Sequence, residues 1–232
     1  AGFGGYPAFP ALAAATLQRR PRLIHEQNGV LGRVNRLFAR RVDAVACGTW
    51  PVANAPAGAD LRHLGNPVRD AVRPAPYAAP DPDGPLRLLV FGGSQGASLF
   101  ARVVAPALAA LPESLRARLR LVQQAREDEV ETVRAACAEA GIAAEIAPFF
   151  EDMPARLAAA HLVIARAGAS TVAELGVVGR PAILIPYAAA MDDHQTANAR
   201  ALADAGAAEV VAEPAFDAPT LTARLAALLP DA

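Results

Sequence analysis

Residues 165–186, A-R-A-G-A-S-T-V-A-E-L-G-V-V-G-R-P-A-I-L-I-P, decide the fold. They read as a strand end, a glycine-containing turn, a helix over 171–178, a second turn at Arg180-Pro181 and a buried strand over 182–185. Gly168 permits a tight turn or a close approach of the backbone to a ligand. Ser170 or Thr171 stands where a helix cap belongs. A helix that starts at the carboxyl end of a parallel strand presents unpaired N–H groups and a positive dipole end to an anion. The same letters also fit a capping box, Thr171-x-x-Glu174, in which the carboxylate serves only the backbone.

Working outward, strands are expected at 86–91, 119–122, 144–147, 162–165, 182–185 and 209–211. Helices are expected between and after them, at 98–110, 127–140, 153–160, 171–178, 194–205 and 219–229. Strict alternation of strand and helix argues a parallel sheet with helices on both faces. Ligands of such sheets bind beyond the carboxyl ends of the strands. Four of those ends are polar: G-G-S-Q-G-A at 92–97, F-F-E-D at 149–152, R-A-G-A-S at 166–170 and P-Y-A-A-A-M-D-D-H-Q at 186–195. Glycines with Ser94 suit a diphosphate, Glu174 suits a ribose diol, and Gln195 suits sugar hydroxyls. Asp192-Asp193 would also cap the helix that starts at His194, and His161, beside an apolar strand, reads as structural.

Composition narrows the chemistry. The chain has 232 residues and is 53% hydrophobic, enough for a sizeable core. No apolar run approaches the roughly 20 residues of a membrane span, and the first residues carry no signal-peptide pattern. There is no lysine, so anion contacts fall to arginine, backbone N–H and hydroxyls. Cys47 and Cys137 read as buried thiols of a reducing compartment. Asp81-Pro-Asp83 matches a D-x-D metal pattern but has no strand to hold it, so no metal is expected. Residues 1–80 carry ten arginines against four acidic residues, and the remainder twelve against nineteen. That asymmetry suggests two modules with different partners.

The first module begins with a glycine turn, G-F-G-G-Y at 2–6, with no strand ahead of it. A helix at 12–18, a short strand at 23–24 with the polar end H-E-Q-N at 25–28, a basic amphipathic helix at 31–39 and strands at 44–46 and 61–64 follow. This reads as the second half of a domain. The motif G-N-P-V-R at 65–69 leads into a proline-rich stretch over 74–85, expected to be a stiff, exposed linker. The expected division is 1–68, the second half of an incomplete domain; 69–85, hinge and linker; and 86–232, a complete α/β domain.

Six motifs in this order, G-F-G-G-Y, H-E-Q-N, G-N-P-V-R, G-G-S-Q-G-A, R-A-G-A-S-T-V-A-E and D-D-H-Q-T-A-N, resemble the MurG family of glycosyltransferase family 28 over essentially the whole chain. The resemblance implies an α/β fold of the GT-B type, with two facing Rossmann-like domains. It implies inverting transfer of GlcNAc from UDP-GlcNAc to the MurNAc 4-hydroxyl of lipid I, forming lipid II in peptidoglycan synthesis. It assigns Ser94 to the diphosphate, the backbone at Phe150 to uracil, and Ala169, Ser170, Thr171, Val172 and Ala173 to phosphate and ribose, with Glu174 on the ribose hydroxyls. Gln195 and His194 would meet GlcNAc, and Arg69 and Asn28 would complete the donor site. Tyr6, His25 and Glu26 would support acceptor binding or catalysis. The family's earlier loop G-G-T-G-G-H, which carries the candidate base, has no counterpart here, so this chain itself is expected not to turn over. The family's frequent asparagine after G-G-S-Q-G-A is replaced by L-F-A at 99–101. The implied partners are UDP-GlcNAc, lipid I and an anionic membrane surface on the cytoplasmic side of the bacterial inner membrane, with no cofactor and no nucleic acid. Two alternatives remain: an enzyme like the UDP-GlcNAc 2-epimerases, and a nucleotide-sugar-binding fragment without turnover.

Overall fold

A computed structural model describes residues 1–93 and 98–229. Two parallel sheets form. The smaller has the order β1-β2-β3, built from β1 (Leu23–Glu26), β2 (Ala44–Cys47) and β3 (Leu61–His63), with α1 (Gly5–Leu17) and α2 (Arg33–Phe38) packed together. Gly2 adds a single parallel bridge to Ile24, so the glycine turn lies at the open edge of β1. Helix α1 starts well before the expected 12, because Pro7 falls where a helical N–H has no partner anyway.

The larger sheet has the order β6-β5-β4-β7-β8-β9. Its strands are β4 (Leu86–Phe91), β5 (Leu119–Gln124), β6 (Ala143–Ala147), β7 (Leu162–Ala165), β8 (Ala182–Leu184) and β9 (Ala208–Val210). Its helices are α3 (Ser98–Ala109), the short α4 (Glu113–Arg116), α5 (Val130–Glu139), α6 (Met153–Ala159), α7 (Ala169–Val178), α8 (His194–Asp204) and α9 (Ala218–Leu228). The sequence reading has no counterpart of α4.

Period-2 side-chain alternation sorts the core into two layers. Leu88, Val90, Leu162, Ile164 and Ile183 face α3, α5 and α9. Leu89, Phe91, Val163, Ala165 and Leu184 face α6, α7 and α8. Burying each large apolar side chain contributes about 1.5–3 kcal/mol. Strands covered on both faces must be apolar throughout, which is why β7 and β8 carry no polar residue.

The proline-rich stretch is exposed over most of its length, as expected, and is tethered near its start. Val72 is buried, and Arg180 reaches back to the carbonyls of Ala75 (3.2 Å) and Pro76 (3.0 Å). The same guanidinium donates to Ala158 O at 2.6 Å, and Tyr77 donates to the carbonyl of His161. A buried arginine whose donors all meet carbonyls serves the fold. His161 is structural in the same sense: its Nδ1 accepts from the Arg87 N–H, and burial lowers its pKa.

Candidate functional site

The carboxyl ends of β4, β5, β7 and β8 open on one crevice at the point where the strand order reverses, between β4 and β7. Helix α7 begins at Ala169, two residues before the expected start, with Gly168 as N-cap. Its first intrahelical bond runs from Val172 N to Gly168 O, and the N–H groups of Ala169, Ser170 and Thr171 have no partner among the described residues. No side chain caps this helix, so the capping-box reading of Thr171 and Glu174 does not hold. Gly168 has φ −64°, open to any residue, and an added Cβ would come no nearer than 3.8 Å to Thr171 Oγ1. Among the described residues, therefore, nothing at this turn requires glycine.

Glu174 is turned instead to Arg69. The pair is bidentate, Nε–Oε1 3.0 Å and Nη2–Oε2 3.1 Å, across 105 residues. The Arg69 side chain is 54% exposed and that of Glu174 12%, so solvent reaches the pair from the arginine side and the carboxylate needs another donor when Arg69 turns away. A cavity of about 200 Å³ lies beside it, lined by Phe91, Gln124, Phe149, Phe150, Ser170 and Thr171. Gln124 donates to Pro148 O at 3.0 Å and fixes the turn that leads into Phe149. Arg156 sits 4.2 Å over the Phe150 ring while bonded to Glu145 and Asp152, which raise its pKa. Ser94, with the rest of 94–97, lies outside the described residues.

A second wall comes from the loop after β8. Asp192 (φ 53°) and Asp193 (φ 50°) both adopt left-handed backbone, at a cost of about 1–2 kcal/mol each. The expected Asp cap on α8 is absent: Asp193 Oδ1 accepts from the Thr196 hydroxyl instead of the backbone. Gln195 Oε1 accepts from Tyr187 N at 2.9 Å, and His194 Nδ1 lies 2.7 Å from Met191 O, so Nδ1 carries the proton and donates. Arg166 ties this wall down, with Nη2 to Glu213 Oε1 at 2.8 Å, while the other Glu213 oxygen accepts from Ala188 N. Arg166 and the Ala188 N–H hold the Glu213 pKa below the usual carboxylate range.

The acceptor-side candidates occupy less open positions, Tyr6 excepted. Glu26 is 3% exposed, and its two oxygens accept from Asn28 N, Asn28 Nδ2, Gly32 N and Asn35 Nδ2. His25 Nε2 donates to Gly65 O at 3.2 Å. Glu26 thus braces the loop after β1, and His25 ties β1 to the turn after β3. Tyr6 is 88% exposed on α1. Asn28 meets Asn198 of α8 rather than open solvent. Gln124, Glu213 and Asn198 escaped the sequence reading. Extending the survey of polar strand ends to β5 and β9 would have found the first two.

Larger cavities lie elsewhere, among them one of about 670 Å³ beside Tyr77, His161 and Arg180. It sits at the amino ends of β7, β8 and β9, where no helix N-terminus points in, so chemistry and not volume selects the crevice. Among the described residues no helix can cross a membrane and no three His, Cys, Asp or Glu side chains form a metal cluster.

Residues 87–232 match the glycosyltransferase family 28 C-terminal domain and residues 1–47 its N-terminal domain. A relative from Rhodospirillum centenum is 54% identical over 99% of this chain and 62% of its own length. One from Sphingopyxis alaskensis is 58% identical over 89% of this chain and 54% of its own. Both are named UDP-N-acetylglucosamine–N-acetylmuramyl-(pentapeptide) pyrophosphoryl-undecaprenol N-acetylglucosamine transferase. The crystal structure of Acinetobacter baumannii MurG superposes with a TM-score of 0.82 at 36% identity, covering 98% of this chain and 64% of that one. The chain thus spans a little over half to two thirds of the length of the proteins it matches, and its architecture is GT-B.

The Arg166–Glu213 pair generates a pH prediction. A depressed carboxyl pKa contributes stability that is full above the ordinary value of 4.5 and is lost as pH falls through the lower folded value. Glu213→Gln is expected to cost about 2 kcal/mol at pH 7, with the difference from wild type shrinking as pH falls through the lowered Glu213 pKa. Urea titrations at several pH values read this out; a difference independent of pH would contradict it.

Proposed function

The chain belongs to glycosyltransferase family 28, and from that premise we propose that it carries the donor half of an enzyme that transfers GlcNAc from UDP-GlcNAc to the MurNAc 4-hydroxyl of lipid I, with inversion. Residues 86–232 hold the donor, 69–85 act as hinge and linker, and 1–68 belong to the acceptor side. The observation that carries this reading is the set of three unpaired N–H groups at the start of α7, beside a ready carboxylate and an aromatic-lined cavity.

In this reading uracil lies against the Phe149-Phe150 backbone and the ribose diol bonds Glu174. The diphosphate sits on the first turn of α7, Ala169 to Ala173, and Ser94 contacts it, as the motif implies. Gln195 and His194 meet the sugar. Arg69 leaves Glu174 for the diphosphate, so one ion pair is exchanged for another. As the 4-hydroxyl attacks the anomeric carbon, negative charge grows on the departing diphosphate. The helix N–H groups are already oriented towards that charge and stabilise it without reorganising, and Arg69 adds to them once it has moved to the diphosphate. The hydroxyl proton needs a base; Glu26, occupied by four donors, and His25, bonded to Gly65 O, orient groups rather than accept this proton.

Glu174→Ala is expected to weaken UDP binding by about 1–3 kcal/mol, or about 5- to 150-fold, through loss of charged hydrogen bonds. Calorimetry on the folded variant measures it, and unchanged affinity would overturn the assignment.

The same reading places the whole protein peripherally on the cytoplasmic face of the bacterial inner membrane, where a lipid-linked acceptor resides. Exposed Arg19, Arg20, Arg33, Arg36, Arg40 and Arg41, with exposed Leu17 and Leu37, support it. Each arginine near anionic lipid contributes about 1 kcal/mol. Flotation with phosphatidylglycerol vesicles is expected to retain the chain at low salt and release it at high salt. Equal retention by neutral vesicles would refute the electrostatic part.

A further inference from the structure

Asn198 lies in α8 with no exposed surface, and its amide joins three chain segments. Its Oδ1 accepts from Gly29 N at 2.7 Å, and its Nδ2 donates to Asn28 Oδ1 and to Ala167 O, both at 3.1 Å. Gly29 N–H can only donate and Ala167 C=O can only accept, so these two fix which way the amide points. That orientation fixes Asn28 in turn, whose Nδ2 passes to Glu26 Oε1, while Glu26 Oε2 holds Gly32 N and Asn35 Nδ2. Gly29 packs so tightly that an added Cβ would lie 2.9 Å from Ala197 Cβ and 3.0 Å from the Ala197 backbone. One unbroken hydrogen-bonded chain therefore runs from Ala167, next to the N-cap of α7, through Asn198 to the loop after β1 of the other sheet.

We propose that Asn198 is a positioning residue that couples occupancy of the anion-binding turn of α7 to the order of the Asn28–Gly32 loop on the acceptor side. This rests on the reading of the crevice as a UDP site. An anion that fixes Ala169 to Thr171 also fixes Ala167, two residues upstream. Ala167 holds the Asn198 amide in one plane, and that plane holds Gly29 and Asn28. An aspartate would preserve the acceptor toward Gly29 but set an oxygen against Ala167 O. An alanine would remove all three bonds.

The test is hydrogen–deuterium exchange on the whole chain with and without saturating UDP, for wild type, Asn198→Ala and Asn198→Asp, with UDP binding measured by calorimetry alongside. In wild type, UDP is expected to slow exchange at 169–171 directly and, by about fivefold or more, at Gly29 and Gly32. In both variants UDP should still bind and still protect 169–171, while protection at 28–32 disappears. Protection of 169–171 with no change at 28–32 in wild type would overturn the proposal. So would protection of 28–32 that survives in the variants, since UDP would then be touching that loop itself. If neither variant shows a cooperative urea transition, Asn198 is merely structural and the positioning role falls. Absence of UDP binding to wild type would overturn the functional reading itself, and the coupling with it.

Discussion

Right-handed crossovers leave a parallel sheet little choice about where its helices go. β5 lies on one side of β4 and β8 lies on the other side of β7, so α3 and α7 are driven to opposite faces. The turns that follow β4 and β7 must then diverge, and the gap between them is the crevice. The rest of the candidate site depends on that gap. The N–H groups of α7 face it because the helix starts at the strand end. Glu174 stands one turn further along, and the loops after β5 and β8 close its two ends.

Within this frame the polar groups divide into those the fold consumes and those it leaves available. Arg180, His161 and Glu26 are buried or nearly so, and their atoms are spent on backbone carbonyls and amides. Removing any of them would strand buried partners, at about 1–3 kcal/mol for each group left unsatisfied. The first-turn amides of α7 and the Arg69–Glu174 pair are different: the former have no partner among the described residues, and the latter is open to solvent on the arginine side. The first turn of α7 is a candidate site because backbone hydrogen-bonding capacity is held open there among the described residues.

The strands of the larger sheet were legible because burial on both faces forces apolar runs such as L-V-I-A at β7 (Leu162–Ala165), and the helices because polar strand ends and glycines bracket them. The order of the motifs carried the family. What could not be read were partners distant in sequence. Nothing local to A-E-L distinguishes a Glu174 that serves its own helix from one that meets Arg69, 105 residues away. Asn198 looks like an ordinary polar residue of α8 until Gly29, 169 residues earlier, is packed against it. The proline-rich stretch is exposed over most of its length, as its composition suggests, but the tether of Ala75 and Pro76 to Arg180 was not legible.

A crystal structure of the chain with UDP would place the nucleotide directly. The diphosphate should lie against the N–H groups of Ala169, Ser170 and Thr171, with the ribose diol on Glu174, Arg69 withdrawn from that carboxylate, and uracil beside Phe149 and Phe150. Nucleotide density away from the junction of β4 and β7, or UDP bound with the Arg69–Glu174 pair intact and the first turn of α7 empty, would contradict the assignment of this crevice as the donor site.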